Sequence, residues 1–372
     1  MFPEEKVRNE VAMIRYIQDH TSIPVPFILH WGTKEESPLQ IGPFIIMEWI
    51  NHEMDMGAAL NTPGFSRNDR PVLDPNIETE RLEELYRQFA NIILQLSRLE
   101  FPAIGSLEQN EDQDSWAVTK RPLSTYMNEL VRVGSLPRDK LPGSTYSSTR
   151  EYLSALSKLH IDHFASQRTD SFDSRSDCKR KFLARQLFHK LANDGRLLSA
   201  KDEWGPSRLF FDDLRYGNIL LDANLQVVGV VDWEFCYVGP AGFVSEPPWW
   251  LLLEKPEYWA DGIEEWIRMF DDRLQIFLKV MEECEARSRE CLEMTGRLQV
   301  VCATAGRANF AFDYIFWHKI DPKFFGDGEF REEAWQDRLA LLDEETRHSM
   351  EQFVDAKLKA CETRELVWEP DE

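Results

Sequence analysis

Apolar residues recur at helical spacing in several stretches of the chain. In residues 4–19 the steps between them are four, three and three, which predicts a helix with one apolar face. In residues 78–99 steps of three and four alternate, which predicts a second, strongly amphipathic helix. Weaker helical patterns cover residues 149–165, 177–193, 263–295, 297–318 and 332–360. The polar stretch 166–177 separates two of them and is predicted to be a loop.

Short apolar runs between polar or Pro-containing segments predict strands. Residues 26–31 and 43–50 are two such runs and predict a strand pair, which an irregular connection over residues 51–77 follows. A second region of this kind spans residues 208–233, where the apolar runs are 209–211, 219–221 and 227–231. The last two flank the turn-rich Asp222-Ala-Asn224 and predict a β-hairpin within a largely helical part of the chain.

The composition is that of a folded protein. The chain has 372 residues, of which 43% are hydrophobic and 12% aromatic, so disorder throughout is excluded. This length provides for one large domain or two ordinary ones. The six cysteines form no Cys-x-x-Cys pair and have no histidine at metal-ligand spacing, so they are expected to be reduced thiols.

The charge balance is strongly acidic. Asp and Glu number 65 against 43 Lys and Arg, a net charge of −22, which makes nucleic acids and anionic membranes poor partners. A cationic substrate would suit this field, and solubility alone also accounts for it. The first residues lack the apolar run of a signal peptide, and two prolines and a glutamate interrupt the least charged stretch, residues 235–253. These features predict a cytoplasmic protein without a membrane span.

Three polar side chains in the predicted hairpin region carry the candidate chemistry. Asn218 follows Asp213 by five residues, and Asp232 follows Asn218 by fourteen. The first two stand on either side of a loop that enters a strand, and the third stands just past the returning strand, so all three converge on one end of the hairpin. This arrangement suits phosphoryl transfer. One carboxylate accepts the proton of the attacking hydroxyl, while the amide oxygen and the other carboxylate bind Mg²⁺.

These residues also lie within a family pattern. Residues 213–222 read Asp-Leu-x-x-x-Asn-Ile-Leu-x-Asp, and residues 227–234 read Val-Val-Gly-Val-Val-Asp-Trp-Glu. They resemble the Brenner-type and metal-binding motifs of the aminoglycoside phosphotransferase family, in particular its large group of fungal members. The similarity extends to residues 5–11, 95–102 and 247–254, and thus over most of the chain.

The resemblance implies a protein-kinase-like fold that uses ATP and Mg²⁺. It implies that Asp213 is the catalytic base and that Asn218 and Asp232 are metal ligands. Glu234 is then either a further metal ligand or a buried ion-pair partner. Arg215 either touches the transferring phosphate or is a surface arginine.

The N-terminal part resembles the nucleotide-binding lobe of the family. Residues 44–50 are similar to the strand that leads into the kinase hinge, where the backbone near Glu48, Trp49 and Ile50 would bind adenine. Glu10 matches the glutamate that the family places on its first helix. In the family this glutamate pairs with a strand lysine, and without such a lysine Glu10 is expected to turn to solvent or to an arginine.

The chain departs from the family pattern at two points. Phe211 stands where the family usually has a histidine, two residues before the catalytic aspartate. The strand lysine and the nucleotide-covering loop lie upstream of the first helix in the family, and only nine residues precede Glu10 here. Lys6 lies on the predicted helix itself. The sequence as it begins is therefore expected to lack both elements.

The predicted fold class is α+β and protein-kinase-like. A partial N-lobe is expected over residues 1–52, with a hinge near 48–52. A mainly helical C-lobe is expected over residues 53–372, with the catalytic loop at 211–218 and the metal motif at 232–234.

The predicted function is ATP- and Mg²⁺-dependent phosphoryl transfer to a small hydroxylated metabolite. The alternative is a catalytically weak or inactive, pseudokinase-like binding or accessory protein, because the covering loop and the strand lysine are absent. A metal-dependent hydrolase has less support, because no histidine cluster joins the carboxylates.

Overall fold

The computed structural model describes residues 1–65, 69–110, 115–133, 135–167, 172–198, 203, 205–288 and 312–363. The chain forms two compact units. The first comprises Phe2–Ser124 and Pro206–Gly296, and the second comprises Thr125–Gly205 and Arg297–Glu372. The expected division into lobes at residues 52 and 53 remains a proposal.

Both helices and strands occur along the chain, as an α+β fold requires. In chain order the helices are α1 (Pro3–His20), α2 (Met56–Leu60), α3 (Thr79–Ser97), α4 (Thr125–Arg132), α5 (Thr149–Ser166), α6 (Arg175–Asn193), α7 (Ala241–Val244), α8 (Ile263–Ser288), α9 (Phe312–Ile315), α10 (Asp321–Phe324), α11 (Ala334–Arg338) and α12 (Glu344–Thr363). The strands are β1 (Ile28–Gly32), β2 (Phe44–Met47), β3 (Met54–Asp55), β4 (Glu100–Phe101), β5 (Ser106–Gln109), β6 (Trp116–Lys120), β7 (Ser207–Phe211), β8 (Ile219–Leu221), β9 (Val227–Val230) and β10 (Cys236–Gly239).

The strands of the first unit form small antiparallel sheets. β1 pairs with β2, and β8 pairs with β9, so the predicted strand pair and the predicted hairpin are confirmed. β3 extends the hairpin along the free edge of β8, and β7 lies between β4 and β10 in a separate sheet. The apolar run 209–211 therefore pairs outside the hairpin, with Phe211 opposite Cys236.

The prediction of an irregular connection over residues 51–77 is wrong in part, because it contains β3 and α2. The carboxylate of Asp55 accepts a hydrogen bond from the Ala58 N–H at 2.8 Å and caps α2. Two-residue strands such as β3 carry too few positions for an alternating pattern.

The core of the first unit anchors the region that carries the candidate chemistry. The buried faces of α1, α3 and α8 belong to one hydrophobic cluster with β7, β8 and the end of β9. Trp233, whose side chain is fully buried, directly follows Asp232. Its ring stacks on Phe211 at 4.5 Å between centroids, and its indole N–H donates to the Val230 carbonyl at 2.9 Å. Phe211, at the sequence position where the family usually has a histidine, therefore packs against the buried Trp233.

The long helices of the second unit begin at serine caps. The Ser148 hydroxyl accepts the Glu151 N–H at the start of α5, and the Ser174 hydroxyl accepts the Asp177 N–H at the start of α6. The second cap explains why α6 begins two residues before its predicted start. None of the helices in the described ranges is long and apolar enough to cross a membrane.

The C-terminal predictions are confirmed only in part. α8, in the first unit, follows its predicted range to Ser288, and residues 289–295 lie outside the described residues. Of the predicted helix at 297–318, the described part is α9 with a π-helical turn at Phe316–Ile320. The single predicted helix over 332–360 is wrong, since the chain forms α11 and α12 there. Asp343 accepts the Thr346 N–H at 2.7 Å and starts the second of these.

The second unit buries a histidine among cations. The side chain of His163 is 3% exposed, and within the described residues neither ring nitrogen has a hydrogen-bond partner. Burial, together with the charges of Arg185 and Lys357, lowers the pKa of His163 to about 3. Arg185 is itself paired with Asp313 at 2.8 Å. The folded state therefore favours the neutral form of His163.

His163 is expected to make the second unit sensitive to acid. The unfolded histidine titrates near 6.5 and the folded one near 3, so the unfolded state binds the proton more tightly. The contribution of His163 to the free energy of unfolding is fully present above pH 6.5 and decreases as the pH falls. At pH 5 the loss is about 2 kcal/mol in the free energy of unfolding. Urea unfolding at pH 7 and pH 5 measures it.

His163→Leu is expected to reduce the difference between the two pH values. The same change at the exposed His348 is the control and should leave the difference as it is in the wild type. Equal pH dependence in the wild type and His163→Leu would show that His163 is not responsible.

Candidate active site

The loop after β7 holds two of the predicted residues. Asp213 lies two residues past the strand, and a 3₁₀ turn over Tyr216–Asn218 leads into β8. The Asn218 amide nitrogen donates a hydrogen bond to the Asp213 carbonyl oxygen at 2.9 Å. The Trp250 indole donates a second one to the Leu214 carbonyl. These side-chain contacts to the backbone fix the position of Asp213.

Asp232 follows β9 in the left-handed backbone conformation, with φ 67° and ψ 51°. Residues other than glycine adopt this conformation rarely, and they often do so at functional sites. The adjacent Val231 N–H donates to the Asn218 carbonyl at 3.0 Å, and the Asn218 side chain opposes the rise that burial causes in the pKa of Asp232. The amide nitrogen of Asn218 already donates to the Asp213 carbonyl. The amide oxygen of Asn218 is therefore the atom that a cation would use.

The two aspartates are in a desolvated, acidic environment. Burial raises the pKa of Asp213 to about 6, with Arg215 opposing the shift and the Asp232 carboxylate adding to it. Burial also raises the pKa of Asp232, and the Glu234 carboxylate is the second cause. A carboxyl group with a pKa near neutral is well suited to general base catalysis.

Arg215 lies beside the predicted base. Its Nε is 3.3 Å from Oδ1 of Asp213, and its side chain is 51% exposed. The guanidinium therefore contacts the carboxylate and has donors left toward solvent, where a phosphate could approach.

Helix α1 brings Glu10 to the same end of the hairpin. The Glu10 carboxylate accepts the Trp233 N–H, and burial raises the pKa of Glu10 to about 7, with Asp232 and Glu234 adding to the shift. The expectation that Glu10 turns to solvent or to an arginine is therefore wrong. A backbone N–H and the charge of Lys6 stabilise its carboxylate instead.

The remaining carboxylate of the metal motif is paired. Oε1 of Glu234 lies 2.9 Å from Nζ of Lys6, and both side chains are largely buried. Glu234 is thus an ion-pair partner, as one of its two interpretations expects. A role of Glu234 as a metal ligand remains a proposal.

The predicted hinge lies against the hairpin. β2 ends at Met47, and the Glu48 N–H then donates to the Phe27 carbonyl at 2.8 Å. The side chain of Ile50 covers Gly229 of β9, where an added Cβ would come within 2.6 Å of it. The Trp49 side chain is 77% exposed. The adenine-binding role of residues 48–50 stays a prediction.

The donor set fits a magnesium ion that shares its coordination with a substrate. Within the described residues, no group of three His, Cys, Asp or Glu side chains is placed to hold a metal ion alone. Asp232 and the Asn218 amide offer hard oxygen atoms, and Glu234 adds a carboxylate next to them. Magnesium is usually held by one or two carboxylates together with substrate phosphates and water, so this set is of the right kind.

Two residues of α1 that contact the site, Lys6 and Asn9, were not predicted from the sequence. Nδ2 of Asn9 donates to the carbonyl oxygens of Glu234 and Cys236, each at 2.8 Å, and the side chain is 4% exposed. Lys6 reaches Glu234 from one turn earlier on the same helix. The one available signal was that Lys6, Asn9 and Glu10 share a face of the helix, since they are spaced by three and four residues.

Comparison with known proteins identifies the family. The model of the family described as "Phosphotransferase enzyme family" (APH) matches residues 2–243. The chain is 26% identical over 281 residues to the clavilactone A biosynthesis cluster protein Y of Ampulloclitocybe clavipes. That similarity covers 71% of this chain and 60% of the relative's length.

Solved structures of aminoglycoside phosphotransferases align with this chain at low similarity. A thermostable mutant of APH(4)-Ia, in a ternary complex with AMP-PNP and hygromycin B, is 13% identical with a TM-score of 0.42, over 95% of this chain and 84% of that one. A putative aminoglycoside phosphotransferase from Ralstonia eutropha is 14% identical with a TM-score of 0.41, with the same coverage of 95% and 84%. The family model matches well over half of the chain. The chain therefore belongs to the APH family of phosphotransferases, and its fold is the α+β, protein-kinase-like fold of that family.

Proposed function

We propose that this chain is an ATP- and Mg²⁺-dependent O-phosphotransferase that acts on a small hydroxylated molecule. One observation carries the proposal: the Asn218 amide donates to the Asp213 carbonyl at 2.9 Å, and the Val231 N–H, next to Asp232, donates to the Asn218 carbonyl at 3.0 Å. A candidate base and two candidate metal ligands thus form one connected group at one end of the β8–β9 hairpin. Membership in a phosphotransferase family supports phosphoryl transfer as the chemistry.

In this proposal Asp213 accepts the proton of the acceptor hydroxyl as its oxygen attacks the terminal phosphate of ATP. ADP leaves, and the acceptor gains a phosphate ester. The desolvated position of Asp213 suits this role, because a base with a pKa near neutral is both deprotonated and basic enough at neutral pH. Arg215, beside it, donates to the oxygens of the transferring phosphate.

Asn218 and Asp232 are the proposed magnesium ligands, and Glu234 is a further proposed ligand. Bound magnesium would offset negative charge on the phosphates of the nucleotide. The backbone of Glu48, Trp49 and Ile50 is proposed to bind the adenine ring.

The proposed acceptor is small and not a nucleic acid or a membrane lipid, because a chain with a net charge of −22 repels polyanions. The name of the Ampulloclitocybe clavipes relative assigns that protein to a biosynthetic gene cluster, which supports a small-molecule acceptor here. A cytoplasmic location is part of the same proposal.

Two measurements test the proposal. Calorimetry with ATP, with and without Mg²⁺, measures nucleotide binding, and acceptor-dependent release of ADP measures transfer over a panel of hydroxylated compounds. The proposal expects Mg²⁺-dependent binding and ADP release that rises with one class of acceptor. Nucleotide binding without transfer to any compound would identify the alternative, a pseudokinase-like binding protein. The absence of nucleotide binding would contradict the proposed function itself.

A further inference from the structure

A lysine from α1 lies against the proposed metal motif. Nζ of Lys6 is 2.9 Å from Oε1 of Glu234, and the two side chains are 19% and 25% exposed. The same ammonium lies over the ring of Phe235, 4.6 Å from its centroid. We propose that Lys6 binds the phosphates of the nucleotide, and that its ion pair with Glu234 is the resting arrangement that nucleotide binding opens. This inference rests on the proposed phosphotransferase function.

Hydrogen bonds hold the part of α1 that carries Lys6 against the site. Asn9, three residues later on α1, donates to the carbonyl oxygens of Glu234 and Cys236 and is 4% exposed. These two hydrogen bonds hold the first turns of α1 against the backbone that follows Asp232. The ammonium of Lys6 therefore stays near the proposed site, while its four-carbon side chain can change direction.

The charge of Lys6 acts on more carboxylates than Glu234 alone. Three carboxylates lie close together here, on Glu10, Asp232 and Glu234. Besides burial, the charges of Asp232 and Glu234 raise the pKa of Glu10, and the charge of Glu234 raises the pKa of Asp232. Lys6 lowers the pKa of Glu10 and that of Asp232, so its charge acts across the whole group. An ammonium that acts on a proposed magnesium ligand is also close enough to act on phosphates bound there.

The geometry of the Lys6–Glu234 pair leaves Lys6 able to bind a phosphate. An ammonium has three donors, and its direct hydrogen bond to Glu234 uses one of them. Both side chains retain some exposure, so the pair can open without leaving a charge buried in an apolar core. A polyphosphate offers Lys6 several charged oxygens in place of a single carboxylate oxygen.

The test compares ATP with adenosine by calorimetry on the full chain, in the absence of divalent cations. Lys6→Gln is expected to weaken ATP binding by about 10- to 100-fold, the effect of one lost charge-assisted contact. Adenosine binding should stay unchanged, because adenosine carries no phosphate. Lys6→Arg keeps the charge and should retain most of the affinity for ATP.

Glu234→Gln separates the two roles of the pair. It breaks the ion pair but leaves Lys6 in place and removes one negative charge, so metal-free ATP should bind at least as tightly as to the wild type. Lys279→Gln is the matched control, because Lys279 forms a 2.8 Å pair with Glu83 on the surface of the same unit. It should not change ATP binding. Circular dichroism of each variant checks that it is folded.

The outcomes are distinct. Equal ATP affinity of the wild type and Lys6→Gln would overturn the role of Lys6 and leave the proposed function intact. Parallel losses of ATP and adenosine affinity in Lys6→Gln and Glu234→Gln would also overturn it, since they would show that the pair only maintains the local structure. A wild type that binds neither compound with or without Mg²⁺ would overturn the proposed function and this inference together.

Discussion

Asp213→Asn is expected to lower the rate of phosphoryl transfer by about 10²–10⁴-fold, the usual effect of losing a positioned general base. The variant keeps the size of the side chain. It also keeps the hydrogen bond from Asn218, because the acceptor of that bond is the backbone carbonyl of residue 213. The lost function is thus the acceptance of a proton. Initial rates with saturating Mg·ATP and the best acceptor measure the effect.

Asp212→Asn is the matched control for this experiment. It removes one carboxylate charge from the same loop, at the residue before the proposed base, and its rate should stay within a few-fold of the wild type. Nucleotide affinity should be similar in all three proteins, because Asp213 is proposed to act on the acceptor. Transfer by Asp213→Asn at the wild-type rate would exclude Asp213 as the base.

Asp232→Asn is expected to weaken the binding of Mg·ATP strongly. Loss of a residue that only supports a metal ligand typically costs 10–100-fold in metal affinity, so loss of a proposed ligand should cost at least roughly as much. Asparagine is the right replacement, because it tolerates the left-handed backbone at this position, φ 67°, better than alanine. Titration calorimetry with Mg·ATP measures the loss.

The specific expectation for Asp232→Asn is a change in metal dependence. ATP without Mg²⁺ should bind the variant no more weakly than it binds the wild type, because the variant carries one negative charge less. Asp19→Asn, an exposed aspartate on α1, is the control for the change of net charge. Equal Mg·ATP affinity in folded wild-type and Asp232→Asn protein would assign Asp232 a structural role.

The sequence predicts the long helices well, because they bury one face. α1 and α3 begin and end within two residues of the predicted ranges, and their apolar spacing is the reason. The strands β3 and β4 were not predicted, because a strand of two residues has no recognisable alternation. The break between α11 and α12 depends on the cap at Asp343, which a weak apolar pattern does not reveal.

The proximity of Asp213, Asn218 and Asp232 could be inferred from the sequence, because one local hairpin carries all three. The contributions of Lys6 and Asn9 on α1 could not. Lys6 and Glu234 are 228 residues apart, and nothing in the spacing of either segment indicates that they meet. The expectation for Glu10 was wrong for the same reason, since it did not include the Trp233 N–H that its carboxylate accepts.

The fate of the terminal phosphate of ATP shows whether this chain transfers it to a small molecule. Purified protein is incubated with Mg²⁺, ATP radiolabelled in its terminal phosphate, and hydroxylated acceptors, and the products are separated. We predict a labelled phosphate ester of one acceptor class, formed only with Mg²⁺ and nearly abolished in Asp213→Asn. Label that stays in ATP, or that appears only as inorganic phosphate with every acceptor, would contradict the claim that this chain is a small-molecule phosphotransferase.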